Sequence, residues 1–308
     1  MRMKLFENFS EEFCQELIEQ NFPEISITDI KFNDEGWDNQ IFVINNELIF
    51  RFPRYREASQ RLEREIELLN HLQKEIITSI PNYIYKGKLN EKNIIFGGYK
   101  IIRGKNLTPT IFNQIHSKDI KKNLASQIAE FLSSLHQFPL KRAFKLNVPR
   151  QNKKEGILSL YKEIKQVVFP FISAREQNWA NNQFDTFLNE QQVFEYDPVL
   201  IHGDFSSDHI LYEEELQKIG VIDFSDVSVS DPARDFVCLL DFEKEFEQLV
   251  INNYYKEVDP LFLKRRMFYF KLVPFYEIIG GIYLKNQKFI EVGLKKLKEL
   301  MKANEEFI

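Results

Sequence analysis

The sequence predicts an α+β protein in two lobes, a small β-rich one followed by a larger, mainly helical one. Three observations carry that reading. The chain has 308 residues, enough for two units of ordinary domain size. Strand-like runs crowd into roughly the first hundred residues, and helical periodicity takes over from Ser117 onward. Hydrophobic residues at 44% and charged residues at 28% supply enough apolar surface for a core and argue against disorder.

The first element is a short helix. Ser10 is placed to cap it, Glu11 and Glu12 acidify its first turn, and Phe13, Leu17 and Ile18 form an apolar stripe that ends before Pro23. Strands are expected over residues 25–32, 40–44 and 48–52, which are β-branched or aromatic runs separated by polar turns. Residues 58–73 read as an amphipathic helix with Leu62, Ile66, Leu69 and Leu72 on one stripe. Strands at 83–85 and 94–102 complete a mostly antiparallel sheet carrying one helix. A hinge is expected at Gly97-Gly98 or at the Arg103-Gly104 step, dividing the chain into lobes of residues 1–102 and 103–308.

In the second lobe, residues 118–136 place Ile120, Leu124, Ile128, Phe131, Leu132 and Leu135 at helical spacing and stop before Pro139. Helices also fit 153–169, 174–190 and most of the chain from 242 on. Between them, short strands are expected at 199–202, 209–212 and 219–224.

Charge and cysteine content exclude several function classes. The net charge is −5, with 41 basic residues dispersed among 46 acidic ones, which argues against a nucleic-acid-binding surface and suits a polycationic small molecule better. Cys14 and Cys238 stand alone without a Cys-x-x-Cys pair, so neither a structural zinc site nor a disulfide framework is expected, and the compartment should be reducing. Residues 1–20 hold five glutamates and no long apolar run, and no window approaches the roughly 18 apolar residues a membrane span needs. A cytoplasmic protein without membrane attachment is expected.

The sharpest signal is the run from His202 to His209, with Asp204 five residues before His209 and Asp223 following in Ile222-Asp223-Phe224-Ser225-Asp226. Kinases place a catalytic carboxylate five residues before a metal ligand and bring a second metal-binding carboxylate alongside through the next hairpin. Residues 210–212 and 218–222 supply the two strands of such a hairpin.

The run HGDFSSDHI, with IDFSD and SDPARDF after it, resembles the aminoglycoside phosphotransferases, most closely their 2''-phosphotransferase branch. FPEISI, EGWDN, LIFRFP, IPNYIYKG, GYKIIRG and AEFLSSLHQFP extend the likeness over nearly the whole chain. The resemblance implies a protein-kinase-like fold, with residues 1–102 as the nucleotide-binding lobe and residues 103–308 carrying catalysis and substrate binding. It implies magnesium and GTP or ATP as phosphoryl donor. Most kinase-like families carry Asn at the second metal position, and His209 matches the branch that carries His.

Carried over by position, Asp204 becomes the catalytic base, and His209 and Asp223 the magnesium ligands. Arg51 occupies the place of the strand lysine that contacts the α- and β-phosphates, and Glu65 that of its ion-pair partner. A guanidinium departs from lysine but binds phosphate and carboxylate in a planar, two-pronged way. Gly36 is the single glycine of the phosphate-covering loop, which is short and glycine-poor in this family as well. Tyr99 and Ile101 fall on the strand and hinge that read the purine edge, and the bulk of Tyr99 should crowd adenine and favour guanine. Residues 231–250 hold six carboxylates against Arg234 and Lys244, a local balance of −4. There Asp241 and Glu243 are expected to face the ammonium groups of the acceptor, with Asp231 and Asp235 structural. Two other readings stay open: a macrolide or small-metabolite kinase of the same fold, and a non-catalytic nucleotide-binding protein.

Overall fold

Ser10 caps helix α1 (Glu11–Asn21) by accepting from the Phe13 amide. The chain then lays down strands β1 (Ile30–Asn33), β2 (Asn39–Ile44) and β3 (Leu48–Pro53), helix α2 (Arg56–Leu72), and strands β4 (Tyr83–Leu89) and β5 (Ile94–Lys100). The computed structural model describes residues 9–33, 38–89 and 94–305, so Gly36 lies outside the described residues. The five strands form one antiparallel sheet in the order β1-β2-β3-β5-β4. Period-two alternation along β3 sorts its side chains to opposite faces. Leu48, Phe50 and Phe52 join Phe42, Phe96 and the α1 residues Cys14, Leu17 and Ile18 in one core, while Ile49 packs against the other, larger core that holds α2. Arg51 shares that second face, which is what aims a charged side chain at α2.

Two local expectations are corrected. Residues 25–29 do not extend β1, because the Asn45 side chain satisfies their backbone instead: its Oδ1 accepts from the amides of Thr28 (2.8 Å) and Asp29 (3.0 Å), and its Nδ2 donates to the Ser26 carbonyl (2.8 Å). Gly97 and Gly98 do not form a hinge but lie inside β5, paired with Arg51 and Phe50. A Cβ on Gly98 would stand 2.6 Å from the Phe50 ring, so the missing side chain makes room for an aromatic. Gly104, at φ 131°, instead marks the step at which the chain leaves the first sheet.

Beyond it, β6 (Lys105–Asn106) pairs with β8 (Ile210–Glu213), which pairs with β9 (Lys218–Val221), and β7 (Val199–Ile201) pairs with β10 (Ser228–Ser230). The remaining elements are helices: α3 (Pro109–Gln114), α4 (Lys118–His136), α5 (Leu140–Lys145), α6 (Lys153–Val167), α7 (Ala174–Asn189), α8 (Lys244–Asn253), α9 (Phe262–Tyr283) and α10 (Gln287–Glu305). Ser117 caps α4 and a Ser173/Glu176 capping box starts α7. The architecture is therefore a small β-rich lobe and a larger helical lobe. Leu62, Ile66 and Leu69 of α2 share a continuous core with Leu124, Ile128 and Leu132 of α4, and the Val221 amide donates to the Ser79 carbonyl at 2.8 Å. So α2 rests on the second lobe as well as on its own sheet. Among the described residues no helix is long and apolar enough to cross a membrane, and both cysteines are free and buried.

Asp231 and Arg265 hold the second lobe together where no water reaches. Both side chains are fully buried, with Nε 2.6 Å from Asp231 Oδ2, and Tyr269 donates to the same carboxylate at 2.9 Å. Arg265 also reaches Asp259 through Nη1 and Nη2, each at 2.7 Å. Removing the cation strands a buried carboxylate, so Arg265→Met is expected to lower the unfolding free energy by about 3–5 kcal/mol, measured by urea denaturation.

Candidate active site

The turn between β7 and β8 is shaped by its backbone. Gly203 adopts φ 87°, and a Cβ there would fall 2.2 Å from the Asp226 carbonyl oxygen, so only glycine fits. His202, which is fully buried, hydrogen-bonds through Nε2 to the Ile222 carbonyl (3.1 Å), and the Ile222 amide donates to the His209 carbonyl (3.0 Å). These bonds stitch the turn to the segment after β9, where Asp223 sits at φ 66°. A left-handed conformation at an aspartate is uncommon and turns its carboxylate back toward the loop. The Asp235 carboxylate underlies the turn, accepting from the amides of His202 (2.7 Å) and Gly203 (2.9 Å) and meeting His136 Nε2 at 3.0 Å.

Asp204, His209 and Asp223 come together as a result. His209 Nδ1 lies 2.8 Å from the Asp204 carbonyl oxygen, a distance at which it donates, so the Nε2 lone pair faces outward. Nε2 stands 3.8 Å from Asp223 Oδ2, while Asp204 Oδ2 is 3.4 Å from Nδ1 with half of its side chain exposed. Burial works to discharge His209, but the carboxylates of Asp204 and Asp223 outweigh it and raise its pKa. The pull that holds a proton there would equally hold a metal cation.

Arg51 joins the lobes. Nη1 lies 2.6 Å from Glu65 Oε1 and 3.1 Å from the Tyr83 hydroxyl, and Nη2 lies 3.1 Å from Asp223 Oδ1. Tyr83 donates to the same Glu65 oxygen at 3.1 Å. Two carboxylates, Glu65 fully enclosed and Asp223 partly exposed, thus share one guanidinium and divide its influence unequally. For Asp223, burial is outweighed by Arg51, His209 and the Ser225 hydroxyl, which hold it well below the usual carboxylate range. For Glu65, burial prevails and its carboxyl is pushed up to about 7 despite Arg51. Arg51 Nε and Glu65 Oε2 are buried without hydrogen-bond partners, so Arg51 keeps donor capacity beyond its protein contacts.

The other expected site residues fall as follows. Tyr99 is buried in β5, its ring edge-on to Tyr83 at 5.0 Å, on the wall behind Arg51. The Ile101 amide, just after β5, donates to the Glu47 carbonyl at 2.8 Å. Asp241, just before α8, is near enough to Asp208 of the β7–β8 turn and to Lys296 for both to act on its charge, and partial burial raises its pKa. Glu243 turns the other way and pairs with Lys121 of α4 at 2.6 Å. Asp231 and Asp235 are wholly buried in the networks described above. Sequence reasoning passed over Tyr83, His136 and Asp208, of which Asp208 alone carried a signal, as a carboxylate beside His209. A cavity of about 910 Å³ opens elsewhere, at Lys153, Tyr196, Tyr254 and Asp259, and none of the predicted site residues lines it.

A magnesium ion fits the donor set. Among the described residues no group of three or more His, Cys, Asp or Glu is arranged to hold a metal. Magnesium in a nucleotide site, however, takes one or two protein ligands and completes its octahedron with phosphate oxygens and water. Asp223 would supply the carboxylate, and the His209 Nε2 lone pair a second, nitrogen donor of a kind less usual for magnesium.

A model of the phosphotransferase enzyme family APH matches residues 29–267. The chain belongs to that family. Its fold superposes on the GDP and kanamycin complex of APH(2'')-IIIa with a TM-score of 0.86 and 31% identity, covering 94% of this chain and 98% of that one. The gentamicin complex of APH(2'')-IIa follows at a TM-score of 0.76 and 25% identity, over 95% and 97% of the two chains. An aminoglycoside 3'-phosphotransferase of Escherichia coli is 25% identical over 44% of this chain and 51% of its own, so the match spans about half of that relative. Macrolide 2'-phosphotransferase type I shares the fold at 15% identity and a TM-score of 0.73, over 96% of this chain and 99% of its own.

The raised Glu65 carboxyl predicts a pH dependence with a definite sign. The folded protein keeps this proton where the unfolded chain, at an ordinary value of 4.5, has released it. That contribution to stability is complete below the unfolded value and is lost as pH rises through about 7. Glu65→Gln removes it, so unfolding free energy followed from about pH 5 to 8 is expected to fall less steeply in the variant than in the wild type.

Proposed function

We propose that this APH-family protein transfers the γ-phosphoryl group of GTP or ATP to a hydroxyl of an aminoglycoside, the 2''-hydroxyl in the first instance. The convergence of Asp204, His209 and Asp223 beside the Arg51–Glu65 pair carries the reading. Asp204 is the base: its carboxylate is accessible, and the surrounding turn is tied down by His202, Gly203 and Asp235. The acceptor hydroxyl gives its proton to Asp204 as its oxygen bonds to the γ-phosphorus, the bond to the β,γ-bridging oxygen breaks, and the nucleoside diphosphate leaves. Arg51 donates its remaining N–H groups to the phosphates while Glu65 fixes its orientation. A bound magnesium would neutralise charge on the phosphate oxygens.

Two observations support the finer specificity. Relatives at 31% and 25% identity are described as complexes with kanamycin and gentamicin, both of which fit a polycationic acceptor. Asp208, in the same turn as Asp204, and Asp241, which Asp208 acts on, supply negative charge by which ammonium groups would be attracted and oriented. On the donor side, the bulk of Tyr99 favours guanine over adenine. The transfer would add up to two negative charges to a polycationic drug and so confer resistance.

Asp204→Asn is expected to lower kcat by at least about a hundredfold while nucleotide affinity stays within about twofold, measured by diphosphate release and by titration with GDP. Kanamycin or gentamicin should drive that release, and erythromycin or choline should not. Turnover with erythromycin alone would reassign the acceptor. Tyr99→Ala is expected to raise kcat/KM for ATP relative to GTP by about tenfold, within the range that pocket shape alone provides.

A further inference from the structure

We propose that Tyr254 is a positioning residue for the catalytic turn, acting through His136 and Asp235. The hydroxyl of Tyr254, in the stretch after α8, lies 2.7 Å from His136 Nδ1, and His136 Nε2 lies 3.0 Å from Asp235 Oδ2. Asp235 in turn accepts from the His202 and Gly203 amides, the two residues that immediately precede Asp204. All three side chains of this chain of bonds are buried. The path therefore runs from Tyr254 to the backbone of the base without passing through water.

The chemistry gives the bond to Asp235 its direction. Asp235 is a carboxylate, kept below the ordinary range by its hydrogen bond and charge interaction with His136 and by the turn's amides, against the opposing effect of burial. It offers acceptors only, so His136 Nε2 must carry a proton. Nδ1 on the other side of the ring has the Tyr254 hydroxyl as its partner, which accepts from a protonated ring and donates to a neutral one. Burial pushes the Tyr254 phenol up, so it retains its proton. Tyr254 thereby fixes the ring plane of His136, and His136 holds Asp235 in the pose that meets both turn amides. Without the phenol, Nδ1 is left buried and unpaired, and the ring is free to rotate. Asp235 then loses a fixed partner, and Asp204 loses precision at the end of a turn whose one glycine, at φ 87°, has no side chain to stiffen it.

The effect belongs to orientation and not to binding, because none of the three residues contacts the Arg51, His209 and Asp223 groups that would meet phosphate and metal. Tyr254→Phe should therefore lower kcat by about tenfold while both KM values stay within about twofold, since small misplacements of a reacting group are felt chiefly in the chemical step. This kinetic arm rests on Asp204 acting as the base. A second arm does not: hydrogen exchange at the His202 and Gly203 amides should quicken by about tenfold in Tyr254→Phe, while the slowest-exchanging core amides keep their wild-type rates. The cycle with His136→Gln isolates the path, because the glutamine amide donates to Asp235 without needing a phenol. In that background Tyr254→Phe should change the turn's exchange and kcat by less than about twofold. Equal losses from Tyr254→Phe in both backgrounds, or unchanged exchange at His202 and Gly203 in the single variant, would overturn the proposal. Quickened exchange with no phosphoryl transfer to any acceptor, even in the wild type, would instead count against the proposed function and leave the positioning role standing.

Discussion

A single buried guanidinium decides how the two lobes meet. Arg51 comes from the central strand of the first lobe, Glu65 from the helix beneath it and Asp223 from the turn of the second lobe, and the cation sits within 3.1 Å of both carboxylates. Burying a charge without partners is strongly unfavourable, so a lobe arrangement that separated Arg51 from either acid would be penalised. The pairing thus acts as an alignment constraint as much as a source of stability. Arginine suits this place because its flat fork reaches several acceptors at once and its charge survives burial, whereas a lysine so enclosed would tend to lose its proton.

From that junction the site is built by restraint of the backbone. Gly203 and Asp223 both sit at positive φ, and their two turns are laced together by the bonds of His202 and Ile222. Asp235 holds the underside of the first turn. The backbone of the turn is thereby committed to protein partners, and the Asp204 carboxylate is left half exposed. A phosphoryl-transfer centre needs little covalent help from the protein and much help with position. The distribution of hydrogen bonds in the turn matches that requirement.

How much of this was legible in the sequence depended on whether the deciding forces were local. Helix α4 was readable to its ends, because Ser117, the apolar stripe and Pro139 are neighbours in sequence and each acts on its own turn. The spacing of Asp204, His209 and Asp223 was readable because one hairpin brings them together. Partner choice across the fold was not. Glu243 shows as one acid among six, and only tertiary packing sets it against Lys121 on a helix far back in the chain. The Ile101 amide is taken up by Glu47 through the pairing of β3 with β5, a register that no short stretch encodes. Asn45 replaced a strand partner for residues 26–29, and propensity cannot see a side chain borrowed from a neighbouring turn. Gly97 and Gly98 resembled a hinge for the same reason, since a gap left for Phe50 and a bend in the backbone look alike in one dimension.

The charge distribution around Asp204 completes the physical account of the site. The groups that would meet phosphate, Arg51 and the His209–Asp223 pair, lie on the junction side of the catalytic turn. Asp208 acts on both His209 and Asp241, and Lys296 offsets part of the charge of Asp241. On the proposed reading, an acceptor carrying several positive charges would be attracted and oriented by these carboxylates. An acceptor with a single amine and a largely apolar body would feel only a fraction of that orientation, because most of the field would find no charge to act on. On the proposed reading, acceptor choice would rest less on the turn that carries Asp204, which any hydroxyl could use, than on the carboxylates near it.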